Sequence, residues 1–205
     1  MQMRSRRPWG KIEMAHVREL AKGDAKGLAS FLLRLGPATV RYWNRFGKLS
    51  EGTALAVAKR QASIKKNEER GYVALDGQTI VGYGFLRFFP EKPQKKTTCS
   101  LGIAVEDRHQ HMGIGSELVE KMIREARRLC MRKIWLGTYS SNSRALKFYR
   151  NLGFQVEGVF MSDEYFDGKP FHTVSMALFL DGTGDENKAR RAMLMDAIEK
   201  GKFDR

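Results

Sequence analysis

The densest chemical signal in the chain is VEDRHQHMGIG, Val105 to Gly115, which stands between an apolar run and a stretch with helical patterning. A turn there points consecutive backbone N–H groups outward and sets them at the positive end of a helix dipole, so that together they form a cradle for a pyrophosphate. Gly113 and Gly115 allow a ligand close to the backbone. The run does not match the nucleotide-binding pattern G-x-x-x-x-G-K-[ST], and it lacks the third glycine of a dinucleotide fingerprint. One strand later, NSRALKFYRNLGF sets Asn142, Ala145 and Tyr149 at i, i+3 and i+7, a spacing that shares one helical face over two turns.

The elements that must position these residues follow from periodicity and turn chemistry. TCSLGIAV (98–105) reads as an apolar strand leading into the glycine turn. After it, Leu118, Val119, Met122, Ile123, Ala126, Leu129 and Cys130 recur at the helical period, opposed by Glu117, Lys121, Arg124, Glu125 and Arg128. KIWLGTY (133–139) is a predicted strand, and SNSRALKFYRNLG a helix ending at Gly153. Two hairpins are expected, one around Asp76-Gly77 and one around Asp167-Gly168. Upstream, Lys11 to Val17 suggests a first strand, a helix runs from Asp24 to the Gly36-Pro37 break, and residues 38 to 70 are helical in tendency. Tyr42, Trp43 and Phe46 form an aromatic face there. The order strand, turn, helix, strand, helix, hairpin predicts an α/β fold with a mixed sheet covered by helices. Residues 1–10 read as a flexible basic arm, 11–180 as the domain, and 181–205 as an appended helix or tail.

The two motifs together resemble the GNAT superfamily of acyl-CoA-dependent N-acetyltransferases. The family's phosphate-loop pattern, [Q/R]-x-x-G-x-[G/A], stands here as Gln110, Gly113 and Gly115. Its later pattern, N-x-x-A-x-x-[L/F]-Y-x-x-x-G-F, stands as Asn142, Ala145, Phe148, Tyr149, Gly153 and Phe154. The resemblance covers about residues 11 to 180, and the ending is similar to that of members acetylating small amines or protein amino termini. It implies a mostly antiparallel sheet with helices on both faces, and acetyl-CoA lying in a V-shaped opening between the strands of Ile103, Ala104, Val105 and of Ile134 to Tyr139. It also implies that backbone groups of Ile103 and Val105 pair with the pantetheine arm, that Asn142 and Phe148 border it, and that the amides of Gln110, His111, Met112, Gly113, Ile114, Gly115 and Ser116 hold the pyrophosphate. The family often has proline at the Asp107 position and small or basic residues where His111 and Met112 stand.

Acetyl transfer to an amine needs a neutral nucleophile, a polarised thioester carbonyl and a proton for the departing thiolate. Tyr149, with a free pKa near ~10, is the candidate acid, since a thiol leaving group has a comparable pKa of about 8 to 9. For the base, Glu106, Glu157, Asp163, Glu164 and His172 are candidates, the last four in the C-terminal hairpin that borders the acceptor site in this family. Glu164 is the residue taken forward, and a water relay without a single base stays open.

Composition sets the remaining limits. The 205 residues carry 37 Lys and Arg against 23 Asp and Glu, a formal charge of +14, with 42% hydrophobic residues. Whole-chain disorder is excluded by that apolar content. Cys99 and Cys130 are too few for a disulfide scaffold and lack zinc-site spacing, so no metal is expected. No run approaches the ~18 apolar residues of a membrane span, and a soluble, cytoplasmic protein without membrane partners is expected. The positive excess lies in residues 1 to 70, with 16 basic and 6 acidic groups, a patch suited to an acidic protein or RNA. Homodimerisation is a further option. The rival readings are a non-catalytic acyl-CoA binder on the same fold and a nucleic-acid-binding protein.

Overall fold

The computed structural model describes residues 16–43, 49–166, 168–182 and 188–201. A seven-stranded sheet runs through them in the order β1-β2-β3-β4-β5-β7-β6. Its strands are β1 (His16–Glu19), β2 (Glu69–Asp76), β3 (Thr79–Arg87), β4 (Thr98–Val105), β5 (Lys133–Tyr139), β6 (Gln155–Phe166) and β7 (Lys169–Phe179). Six helices complete it: α1 (Ala25–Arg34), α2 (Pro37–Tyr42), α3 (Glu51–Gln61), α4 (Ile114–Arg128), α5 (Ser143–Asn151) and α6 (Lys188–Glu199). Every strand pairing is antiparallel except β4 with β5. The sheet is therefore mixed and mostly antiparallel, as the sequence implies.

Each face of the sheet buries its own cluster. On one, Leu118, Val119, Met122 and Ala126 of α4 and Leu146 and Tyr149 of α5 pack with Leu101, Ile134, Leu136, Val174 and Met176. Those α4 positions repeat every three or four residues, so the helix lays one apolar stripe on the sheet while Glu120, Arg127 and Arg128 stay in solvent. Burying a side chain such as Leu118 or Met122 contributes about 1.5–3 kcal/mol. On the other face, Leu28, Phe31 and Leu32 of α1 and Ala54 and Ala58 of α3 cover Val73, Tyr83, Phe85 and Ala104. The two alanines let α1 and α3 approach closely. Gly102 serves the same face: a Cβ there would stand 2.5 Å from Phe85 Cε1, because the Phe85 ring crosses its cross-strand neighbour.

Two expectations change. The first strand is His16–Glu19, overlapping only the end of the expected Lys11 to Val17, whose residues 11 to 15 lie outside the described residues. The helical tendency of 38 to 70 resolves into α2, α3 and a turn, and Glu69 and Arg70 already belong to β2. There the pairing of Glu69 with Arg87 and Arg70 with Leu86 overrides helix propensity. The appended segment contains α6, whose Met195 and Ile198 are buried in the α4–α5 cluster. The basic arm of residues 1–10 and Phe46 fall outside the described residues.

Candidate active site

The site is built on the single parallel pair. β4 and β5 pair only as Thr98 with Lys133, Cys99 with Ile134 and Ser100 with Trp135. Beyond Ser100 and Trp135 they part, although β4 keeps pairing with β3 up to Val105 and β5 with β7 up to Tyr139. The sheet thus splits into a wedge between residues 101–105 and 136–139, the V-shaped opening that the resemblance implies.

At the mouth of the wedge, on the path from β4 to α4, the backbone turns through a short 3-10 turn, Asp107–His109. His111 (φ 66°) and Gly113 (φ 87°) take left-handed conformations on either side of Met112, whose φ is negative. Alternation of this kind turns successive N–H groups to one side and forms an anion nest. Among the described residues, the amides of His111, Met112, Gly113, Ile114, Gly115 and Ser116 have no hydrogen-bond acceptor, whereas Gln110 N–H is used by Asp107 and Glu117 N–H by Gly113. The last three are the orphan donors of the first α4 turn. Above Gly113 there is open space. Six free donors at a helix N-terminus fit a pyrophosphate, and the fit rests on backbone, so the departures at Asp107, His111 and Met112 leave it intact.

Side chains of the loop hold it in place. Gln110 Nε2 donates to Thr39 Oγ1 (2.9 Å) and the Val105 carbonyl (3.2 Å), while its Oε1 accepts from Arg144 of α5 (2.7 Å). Thr39 also bonds Asp107 and donates to the Val105 carbonyl. Gln110 therefore ties α2, β4 and α5 to the loop, and its own amide is spent on the 3-10 turn, so it drops out of the donor set. The Val105 carbonyl is likewise occupied, which leaves Ile103 as the better placed of the two residues for pairing with a pantetheine arm. Ala104 is buried on the α1–α3 face.

On the α4–α5 face, Ile103 and Phe148 lie about a prospective Gly115 Cβ, at 3.6 and 3.4 Å. Asn142 stands one residue before α5 as its N-cap and accepts Ala145 N–H at 3.1 Å, so it is a capping residue whose amide N–H donors have no partner among the described residues, rather than a member of the helical face. Tyr149 is buried between Phe148 and Phe154, with ring centroids at 5.0 and 5.6 Å. Its hydroxyl meets no protein partner among the described residues, and burial pushes its pKa above that of a free phenol.

The opposite face carries the rest. Tyr139, three residues beyond core-facing Leu136, projects to the α1–α3 side, where its ring lies 6.3 Å from Tyr42 and 5.2 Å from Phe171. Its hydroxyl donates to Glu164. Burial first, then that hydrogen bond and the charges of Glu164 and Asp163, hold its pKa above the usual value. Of the five candidate bases, Glu164 reaches the cluster directly and Asp163 adjoins it. Glu106 is buried under the loop with Arg108 (2.8 Å), Arg34 (3.4 Å) and His109 (3.5 Å) around it. Glu157 pairs with Lys133 (2.7 Å), at the other end of β5 from Tyr139. His172 is buried, and its Nδ1 accepts Ser162 N–H (2.8 Å), which makes it a shaping residue of the hairpin. Tyr139 and Phe171, absent from the sequence-based candidates, are legible only as strand residues at one end of β5 and β7. Trp43 packs on Tyr83 in the core, 6.1 Å between centroids.

A separate open cavity of about 290 Å³ lies behind the loop, lined by Asp76, Thr79, Val81, Arg108, His109 and Met112. It holds no phenol and borders the β2–β3 turn rather than the wedge. Among the described residues no cluster could hold a metal ion, and no helix is long and apolar enough to cross a membrane.

The model of the acetyltransferase (GNAT) family matches residues 37–154. An L-methionine sulfoximine/L-methionine sulfone acetyltransferase of Pseudomonas aeruginosa is 23% identical over 148 residues, 70% of this chain and 82% of that protein. Among solved structures, a Salmonella typhimurium acetyl transferase that modifies the N-terminal serine of ribosomal protein L7/L12 superposes with a TM-score of 0.70 at 15% identity, covering 82% of this chain and 96% of that one. The Salmonella typhimurium protein yncA, solved with its cofactor acetyl-CoA, gives a TM-score of 0.68 at 20% identity, covering 82% and 94%. This chain belongs to the GNAT acetyltransferase family. It is an N-acetyltransferase whose co-substrate is acetyl-CoA and whose acceptor is an amine.

Proposed function

We propose that the chain acetylates a primary amine by direct transfer across the β4–β5 wedge, with Tyr149 as the acid and Glu164 as the base. The observation that carries this reading is the placement of the two proton-handling groups on opposite faces of the sheet, on either side of a gap whose mouth presents six free amides. Bound acetyl-CoA supplies the thioester carbonyl and the sulfur that leaves. The amides from His111 to Ser116 bind its pyrophosphate, and Ile103, Asn142 and Phe148 border its arm. Glu164 takes the proton from the amine as the nitrogen attacks, and Tyr149, kept protonated by burial, gives its proton to the sulfur. The phenol regains a proton and the carboxyl loses one to solvent, which closes the cycle.

Residues 11–180 form the catalytic domain in this reading, with 1–10 as a basic arm and 181–205 as an appended element, in a cytoplasmic protein. The excess positive charge of residues 1 to 70 supports recruitment of an acidic protein or RNA surface. The exposed Phe160, Met161 and Tyr165 on β6, the terminal strand of the sheet, support homodimerisation along that edge.

The test is incubation with acetyl-CoA and a panel of polyamines, amino acids, aminated antibiotics and peptides, reading free thiol and product mass together. The expected result is one thiol released per acetylated amine. Tight acetyl-CoA binding with no thiol release for any amine would instead make the chain a binding protein.

A further inference from the structure

Resting on the assignment of Glu164 as base, we propose that Tyr42, Tyr139, Phe171 and Glu164 form the acceptor subsite and select primary amines that carry no carboxylate on the nitrogen-bearing carbon. Small amines and peptide amino termini share that chemistry, whereas free amino acids do not.

The three rings are in mutual contact through Tyr139, and each is half-buried, so aromatic surface remains open to a ligand. Such surface attracts an ammonium group through the negative ring faces and holds an apolar stem through its area. Glu164, fixed by the Tyr139 hydroxyl, adds a formal negative charge beside the rings, and Asp163 adds a second. Neither carboxylate pairs with a Lys or Arg among the described residues, although this chain has 37 such residues and pairs Asp24, Glu106, Glu125 and Glu157 with them. Arg41 lies over Tyr42 at 5.5 Å, and two rings separate it from Glu164 in that chain of contacts. A carboxylate one carbon away from the reacting nitrogen would thus meet two like charges at close range.

The backbone fixes this arrangement. Phe160 pairs with Thr173 and Glu164 with Phe171, so Met161, Ser162 and Asp163 bulge opposite His172 alone. Ser162 takes a left-handed φ of 49°, and its N–H is held by His172 Nδ1. The bulge aims Glu164 at the hydroxyl of Tyr139 and carries Asp163 next to it.

The test compares L-phenylalanine amide, phenethylamine and L-phenylalanine as acceptors for the intact protein. Both carboxylate-free compounds are expected to exceed phenylalanine by about 10-fold or more in kcat/KM, the order of effect that like-charge juxtaposition brings. Glu164→Gln, at an exposed position, should lower turnover of the two amines and bring the amide-to-acid ratio down toward one, a change that a purely structural role would not produce. A peptide substrate beginning with phenylalanine, set beside phenethylamine, separates peptide termini from small amines. Equal or better use of phenylalanine would overturn the selectivity while leaving the acetyltransferase reading intact. Absence of acetyl product from every one of these amines would count against both.

Discussion

Tyr149 joins two properties seldom found together in a packing residue, near-complete burial and a hydroxyl with no protein partner among the described residues. Burial disfavours the phenolate, so Tyr149 stays protonated through the neutral and moderately alkaline range, as the proposed role of acid requires. In a rate profile the loss of activity due to Tyr149 ionisation therefore belongs above the ordinary phenol range of ~10. Tyr149→Phe removes only a hydroxyl that bonds none of the described residues. Turnover should fall about 10- to 1000-fold with acetyl-CoA affinity and Tm nearly unchanged, as steady-state kinetics, calorimetry and thermal melts would read. Undiminished turnover would return Tyr149 to packing. At this scale the sequence is informative wherever a local motif carries the residue, as with Gly113, Gly115 and Tyr149. It is silent where the partner comes from elsewhere in the sheet. Gln110 reads as a ligand contact, yet Thr39 and Arg144 claim its side chain from 71 and 34 positions away. His172 reads as a candidate base until the hairpin register brings Ser162 N–H onto its Nδ1.

Among the elements, the split between β4 and β5 and the loop at its mouth act together. The helix period of α4 and the apolar run of β4 are plain in the sequence, because both are local patterns with one buried face. The splitting of the pair after three residues is not, since it depends on β3 and β7 drawing the two strands apart. The end of β1 and the break between α3 and β2 were obscured for a related reason: short edge strands and turns take their limits from pairing partners. Gly113 offers the sharpest test of the loop. A Cβ there meets nothing within 4 Å, and the left-handed φ costs a non-glycine residue about 1–2 kcal/mol. Gly113→Val should stay folded and bind acetyl-CoA at least about 10-fold more weakly, because the side chain and the altered backbone both disturb the nest. Unchanged affinity in a calorimetric titration would remove the loop from the binding site.

For the molecule as a whole, one buried thiol and three tyrosines of the core and cleft set the pH response. Cys99 is pushed up to about 12 by burial, and Tyr72, Tyr139 and Tyr149 also lie above their ordinary values. An unfolded chain gives up these protons from about pH 8.5 to 10, while the fold retains them. In that interval the unfolded state binds fewer protons, so stability is complete below it and declines as pH rises. Tm should fall progressively between about pH 8 and 11. A flat Tm over that range would show that the groups are not shielded as described. The basic excess acts at longer range. Exposed charges separated by more than ~8 Å are largely screened at physiological salt, so recruitment by the arm should appear only at low salt. Deleting residues 1 to 8, with Arg4, Arg6 and Arg7, should weaken association with a polyanion at low salt and leave small-amine turnover unchanged. Lost turnover in an intact fold would place the arm in the active site. Charge balance is legible from composition alone, whereas its effect depends on where the arm lies, which no local pattern records.

In the proposed complex acetyl-CoA is held in the β4–β5 wedge with its pyrophosphate on the amides from His111 to Ser116. Amide hydrogen exchange of the intact protein with and without acetyl-CoA measures those donors themselves. Exchange should slow at residues 111–116 and along residues 101–105 of β4, with little change at the β2–β3 turn. Protection confined to Asp76, Thr79 and Arg108 around the neighbouring cavity, with 111–116 unaffected, would contradict it.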